Sequence, residues 1–90
     1  MRQVVLDTET TGLSPGGGDR IVEIGCAELV HGVPSGRTYQ QYINPERDVP
    51  EEVVAVHGLR EDFLSGHPPF AEIVEEFLEF LDDSPLVIHN

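Results

Sequence analysis

Asp7-Thr8-Glu9 follows directly on the apolar run Val4-Val5-Leu6. That run is rich in β-branched residues and bounded by turn formers, the pattern of a buried strand. Positions two apart in a strand project from the same face. Asp7 and Glu9 are therefore expected side by side at the strand's carboxyl end, where open α/β sheets bind ligands. Two anions held together repel, and they lose hydration, unless something compensates. A hard divalent cation such as magnesium is the usual compensation, because it prefers oxygen ligands. An isolated D-x-E triplet is more often a solvated surface pair. Here the pair ends an apolar strand and runs into Thr10-Thr11-Gly12-Leu13, then Ser14-Pro15-Gly16-Gly17-Gly18-Asp19. Buried strands rarely end in paired acids for packing reasons.

Ninety residues suffice for one small domain, and the 39% hydrophobic content is adequate for a core. No apolar stretch is long enough to span a membrane. Met1-Arg2-Gln3 leads straight into a strand without a signal-peptide pattern, so a cytoplasmic protein is expected. The single cysteine, Cys26, excludes an internal disulfide framework and reads as a small buried hydrophobe. The net charge is −12, with five arginines and no lysine, which argues against binding duplex DNA through a broad basic face. An enzyme that meets phosphate through metal ions stays open. Without lysine, Gly16-Gly17-Gly18 is not a phosphate-binding P-loop, and Schiff-base chemistry is excluded. His31, His57, His67 and His89 are scattered, and one cysteine cannot complete a zinc-finger spacing. The serines stand in turns without a nucleophile-elbow pattern.

Residues 3–8 read as the first strand and 14–19 as a loop punctuated by proline and glycine. Residues 20–30 read as a second strand, 31–36 as a turn, and 37–43 as a third strand. The connections are too short for crossovers, so an antiparallel meander is expected. Asn44-Pro45 breaks the third strand. Pro50 opens a short helix with Glu51 and Glu52 in its first turn, and Gly58 closes it. Arg60 to Leu64 reads as a further helical turn. Pro68-Pro69 precedes an amphipathic helix with Phe70, Ile73, Val74, Phe77, Leu78 and Leu81 on one face. Glu72, Glu75, Glu76 and Glu79 form the other face, read as solvated and nothing more. Ser84-Pro85 ends this helix, and Leu86-Val87-Ile88 starts a fourth strand. The order β-β-β-α-α-β is an α/β layer, incomplete because parallel sheets normally have both faces covered.

Several segments, in order, resemble one family. They are Val5-Leu6-Asp7-Thr8-Glu9-Thr10-Thr11-Gly12-Leu13, Arg20-Ile21-Val22-Glu23-Ile24-Gly25, Tyr42-Ile43-Asn44-Pro45-Glu46-Arg47 and Val56-His57-Gly58-Leu59. Phe70-Ala71-Glu72-Ile73 and Leu86-Val87-Ile88-His89-Asn90 complete the set. The ordered set spans essentially the whole chain. It resembles the proofreading (epsilon-type) exonucleases of bacterial DNA polymerase III, DnaQ-like members of the DEDD 3′–5′ exonuclease superfamily.

The resemblance implies an RNase H-like fold, a mixed sheet with flanking helices, of which residues 1–90 form the N-terminal part. It implies two-metal-ion hydrolysis of phosphodiesters with Mg2+ or Mn2+, two ions per complete site about 4 Å apart. Asp7 and Glu9 match the first motif as catalytic and metal-binding residues. Asp7, Glu9, Thr10, Glu52 and His57 match positions that contact the 3′-terminal nucleotide. Read without the family, Glu52 is a helix-start acid and His57 a helix C-terminal cation. His89-Asn90 match the start of the second motif, whose acid falls beyond Asn90. The third motif, with the base histidine and last acid, is absent, so this chain alone is expected to be inactive. The implied partners are a single-stranded 3′ DNA end, the polymerase III catalytic (alpha) subunit and a small accessory subunit. Two alternatives remain: an RNA-trimming exonuclease or exonuclease module of a fused helicase or polymerase, and a non-catalytic interaction module keeping part of the fold.

Overall fold

The computed structural model describes residues 1–89; Asn90 lies outside the described residues. The strands are β1 (Arg2–Thr10), β2 (Ile21–Val30), β3 (Val33–Tyr42) and β4 (Leu86–His89). The helices are α1 (Glu51–His57), α2 (Glu61–Leu64) and α3 (Phe70–Leu81). One mixed sheet runs in the order β3-β2-β1-β4. β1 pairs antiparallel with β2 and parallel with β4, and β2 pairs antiparallel with β3. The expected meander and the parallel fourth strand are both present.

Two boundaries differ from the sequence reading. β1 continues to Thr10 instead of ending at residue 8, so Glu9 as well as Asp7 lies inside the strand. The turn after β2 is only His31-Gly32, with φ of 52° and 77°, and β3 starts at Val33 instead of residue 37. Two positive φ values make a tight hairpin whose twist matches the strands. Pro34 and Gly36 suggested a longer turn, but β3 is an edge strand and tolerates both.

α1 ends as expected: Gly58 adopts φ 75° and its N–H donates to the Val54 carbonyl. α3 covers one face of the sheet. Its buried residues are Ile73 and Phe80, packed with Val4, Ile24, Cys26 and Ile43. The expected stripe was displaced. Leu78 is exposed, Phe70 borders an open hollow, and Phe80 is buried instead. On a helical wheel Ile73, Phe77, Phe80 and Leu81 share a narrow arc, while Leu78 falls at its margin. Glu76 is also more than a solvated acid, since it accepts the Tyr39 hydroxyl at 2.9 Å. Burial and that hydrogen bond to Glu76 push the Tyr39 phenol up to about 12. A second cluster joins Val22, Val49, Val54 and Leu64, and holds α1 and α2 against the sheet.

Arg2 ties the two ends of the chain together. Its guanidinium pairs with Glu28 and donates to the Phe80 carbonyl at 2.6 Å, the Leu81 carbonyl at 2.9 Å and the Ser84 hydroxyl at 2.7 Å. It also lies over the Phe80 ring, 5.2 Å from the centroid. The last α3 carbonyls, which no helix N–H can satisfy, thus receive a cation. Asp82 and Asp83 then turn the chain with φ of 46° and 55°, and β4 pairs with β1. The hydrogen bonds from Arg2 and Ser35 hold the Glu28 carboxyl below its ordinary range.

Arg2→Met should therefore destabilise the chain by on the order of 2 kcal/mol through the lost charged hydrogen bonds to the helix carbonyls. Glu28 stabilises the fold above its unfolded pKa, and that contribution disappears as pH falls through its lower folded pKa. Urea unfolding between pH 7 and pH 3 should show this acid loss in the parent chain and a flatter profile in Arg2→Met. Equal pH slopes would separate Arg2 from the Glu28 shift.

Candidate active site

Asp7 and Glu9 occupy alternate positions of β1 and project from the same face, as their spacing predicts. The β1–β2 ladder sets Gly25 opposite Asp7 and Glu23 opposite Glu9. Asp7, Glu9, Glu23 and Gly25 border a small hollow of about 90 Å³. Like charges directly opposite in a ladder cost about 0.2–1 kcal/mol. Glu23 is steadied by Gln40, whose Nε2 donates to it at 2.9 Å. Among the described residues no arginine pairs with Asp7, Glu9 or Glu23; the ion pairs go to Asp19, Glu28 and Glu51. The negative charge is thus left for an external cation. No group of three or more His, Cys, Asp or Glu side chains converges as a metal cluster among the described residues. Asp7 and Glu9 thus present two carboxylates on one face without an ion-pair partner.

The ladder shifts register between Glu9 and Thr10, which face Glu23 and Ile21 respectively. Val22 is the extra residue of this bulge. It enters the second cluster with Val54 of α1, while Ile21 and Ile24 pack toward α3. A bulge re-aims side chains without breaking the strand. Here it gives α1 an apolar anchor beside the end of β1.

The result is a cleft of about 760 Å³ between β1, the following loop and α1. Asp7, Glu9, Thr10, Glu52 and His57 all line it, together with Gly12, Leu13, Val53 and Val56. Five residues from segments more than forty positions apart in sequence therefore meet at one place. Asp7 and Glu9 come to it from β1 and Glu52 from α1, and Leu13, Val53 and Val56 add an apolar lining.

His57 is held from both ring nitrogens. The Leu59 N–H donates to Nδ1 at 3.0 Å, so Nε2 carries the proton and donates to the Thr10 carbonyl at 3.0 Å. This differs from the helix C-terminal cation that the bare sequence suggested: the ring serves no carbonyl of α1 and instead clamps the helix to the strand end. The Thr10 hydroxyl is likewise engaged, donating to the Gly12 carbonyl at 2.6 Å. Glu52 is exposed in the first turn of α1, where it suits the helix dipole and also faces the cleft. His89 stands opposite Asp7 in the parallel β1–β4 register. Asn90, the other second-motif residue, lies outside the described residues.

Sequence reasoning missed the loop's internal frame. Thr11 is fully buried, and its hydroxyl donates to Asp19 Oδ1 at 2.8 Å and accepts the Arg20 N–H at 3.0 Å. Asp19 Oδ2 accepts the Ser14 N–H at 3.0 Å, and Arg47 pairs with Oδ1 at 3.2 Å. The Thr11 and Ser14 hydrogen bonds hold the Asp19 carboxyl below its ordinary range, with Arg47 adding to them. Alternation gives no signal for it, since Thr11 falls in phase with Asp7 and Glu9 and out of phase with the buried Val4.

The model of the exonuclease family RNase_T matches residues 4–90. Among curated proteins, DNA polymerase III subunit epsilon of Rickettsia conorii is 53% identical over 90 residues, covering 100% of this chain and 39% of the relative. DNA polymerase III subunit epsilon of Escherichia coli is 43% identical over 93 residues, covering 99% of this chain and 38% of the relative. The chain thus spans about 39% of the length of the curated relatives it matches. Among solved structures, the nuclease domain of 3′hExo, a DEDDh family member bound to rAMP, gives a TM-score of 0.80 at 18% identity, covering 99% of this chain and 52% of that one. Exonuclease I of Escherichia coli, in complex with an oligonucleotide, gives 0.79 at 15% identity, covering 97% and 20%. These two likenesses establish the RNase H-like exonuclease fold.

Manganese titrated into the chain should broaden the NMR signals of residues 7–12 first, with weak affinity because two carboxylates cannot complete the shell. Broadening of equal strength along Glu72–Glu79 would contradict a specific site.

Proposed function

The chain belongs to the RNase_T exonuclease family, and on that premise we propose that residues 1–90 are the N-terminal part of a 3′–5′ exonuclease domain. The domain trims mispaired nucleotides from the 3′ end of newly made DNA, as an epsilon-type subunit of DNA polymerase III. The observation that carries this reading is the meeting of Asp7, Glu9, Thr10, Glu52 and His57 around one cleft. The reading places the enzyme in the cytoplasm, alongside the polymerase catalytic (alpha) subunit and a small accessory subunit. No described helix is long and apolar enough to cross a membrane.

The donor set fits hard divalent cations, Mg2+ or Mn2+: paired carboxylates without an ion-pair partner, at the rim of a polar hollow. Asp7 and Glu9 would hold the ions, which would supply activation of a water and charge stabilisation at the leaving 3′ oxygen. The chain's other residues bind and orient. Leu13, Val53 and Val56 offer an apolar surface to the terminal base. Glu52 accepts a hydrogen bond from a sugar hydroxyl. His57 fixes the Thr10 carbonyl and so sets the distance between α1 and the acids. Metal ions, rather than a basic surface, meet the phosphate, which reconciles a −12 chain with a nucleic-acid substrate.

A nuclease assay with magnesium or manganese on 3′-ended single-stranded DNA tests this. The 90-residue chain should leave the strand intact, because two carboxylates cannot hold both ions or take the proton from water. The full-length chain should degrade it from the 3′ end and lose that activity in Asp7→Ala. Activity in full-length Asp7→Ala would overturn the reading. His57→Ala in the full-length chain should weaken binding of a 3′-terminal nucleotide by about tenfold, since losing a charge-free hydrogen-bond pair costs on the order of 1–2 kcal/mol.

A further inference from the structure

We propose that Asp19 is a positioning residue of this cleft, whose carboxylate fixes the Gly12–Leu13–Ser14 wall against which the 3′-terminal nucleotide is held. The inference rests on the nuclease reading of the cleft and assigns a role to a residue outside its motifs.

Leu13 is the reason the wall needs an external support. Its side chain is 101% exposed, so no packing within the chain decides where it stands. Its position depends on the backbone at Gly12 and Ser14, and Asp19 bears on both, beside the Thr10 hydroxyl that donates to the Gly12 carbonyl. At Ser14, Asp19 Oδ2 accepts the backbone N–H at 3.0 Å, and the Asp19 N–H returns to the Ser14 carbonyl at 3.1 Å. At Gly12 the control is steric. A Cβ there would lie 2.5 Å from Oδ2 and 2.8 Å from Cγ of Asp19. Gly12 does not adopt a positive φ, so crowding by this carboxylate, and not backbone conformation, demands a glycine.

The carboxylate cannot easily move aside. Thr11 and Arg47 hold Oδ1, and Ser14 holds Oδ2. Thr11 is itself fully buried and bonded twice to Arg20, through its hydroxyl and its backbone N–H. The frame therefore runs from the rigid β1–β2 ladder, through Thr11, to Asp19, and from Asp19 to the exposed wall. The Asp7 and Glu9 carboxylates lie on the other side of Thr10 and take no part in it. Removing the carboxylate should loosen nucleotide binding and spare the chemical step.

The test uses the full-length chain, with KM and kcat measured on 3′-ended single strands in magnesium and Tm measured in parallel. Asp19→Asn keeps one acceptor oxygen and loses the Arg47 pair and one of the two held N–H or O–H donors. It should raise KM by about tenfold and leave kcat within about twofold, the pattern of lost binding shared by ground state and transition state. Gly12→Ala should be as damaging alone. It should add little in Asp19→Ala, where the clash is gone, so the two changes are strongly non-additive. Leu13→Ala, at a side chain that packs on nothing, should raise KM without moving Tm, and it keeps the test decisive if an Asp19 variant fails to fold. An Asp19→Asn enzyme with lowered Tm and unchanged KM overturns the proposal, as does additivity of Gly12→Ala with Asp19→Ala, or an unchanged KM in Leu13→Ala. These outcomes differ from failure of the underlying reading, which shows as full activity in Asp7→Ala.

Discussion

Asp7 and Glu9 repel each other on one face of β1, while Val4 on the opposite face is fully buried under α3. The same nine residues must therefore anchor the core and carry charges that nothing in the described chain neutralises. β1 can do this because it is an inner strand, paired with β2 along its length and with β4 from Val4 to Asp7. Backbone pairing on both edges fixes the strand independently of its side chains. The two acids therefore stay on one face of the strand, with Asp7 exposed to solvent that screens their repulsion. Rigid scaffolds hold functional groups at a cost that packing elsewhere offsets.

That scaffold is closed by contacts between sequence ends. Arg2 reaches the last turn of α3, 78 to 82 residues away. It thereby sets where the chain emerges from α3 and hence where β4 meets β1. His89 arrives beside Asp7 because of an arginine at the opposite end of both strands. The paired acids and this cationic clamp lie toward the two ends of one strand, and the clamp fixes the neighbouring strand.

The local patterns were legible in the sequence. Short connections pointed to the meander, the Asp7–Glu9 spacing to a shared face, and Pro50 with Gly58 to the bounds of α1. The family resemblance carried Thr10, Glu52 and His57 to the cleft that the structure shows them lining. The bare residues could not have done so, since α1 docks beside β1 through partners distant in sequence, the second apolar cluster and the His57–Thr10 hydrogen bond. What stayed hidden depends on partners far away in sequence. Nothing near Arg2 marks it as a helix cap, and nothing near Asp19 marks it as the support of a loop. Glu76 reads as one of four equivalent acids until Tyr39 is seen to donate to it. Phe80 was missed for a smaller reason: a helix's apolar stripe has a width, and only the position of the sheet decides which edge of it is buried.

The bulge between Glu9 and Thr10 explains why the cleft is open where it is. A regular ladder would have carried the β1–β2 alternation past Thr10 and kept Val22 in register with its neighbours. The extra residue turns Val22 toward Val54 instead, and α1 packs on it. His57 then spans the gap from the helix end to the Thr10 carbonyl. The clamp uses a neutral imidazole, donating through Nε2 and accepting through Nδ1, so it adds no charge beside the two acids. An arginine or lysine in its place would pair with those acids itself. Holding the cleft open while leaving the carboxylates unpaired thus favours a side chain that is both donor and acceptor without charge, and at this position the chain has a histidine.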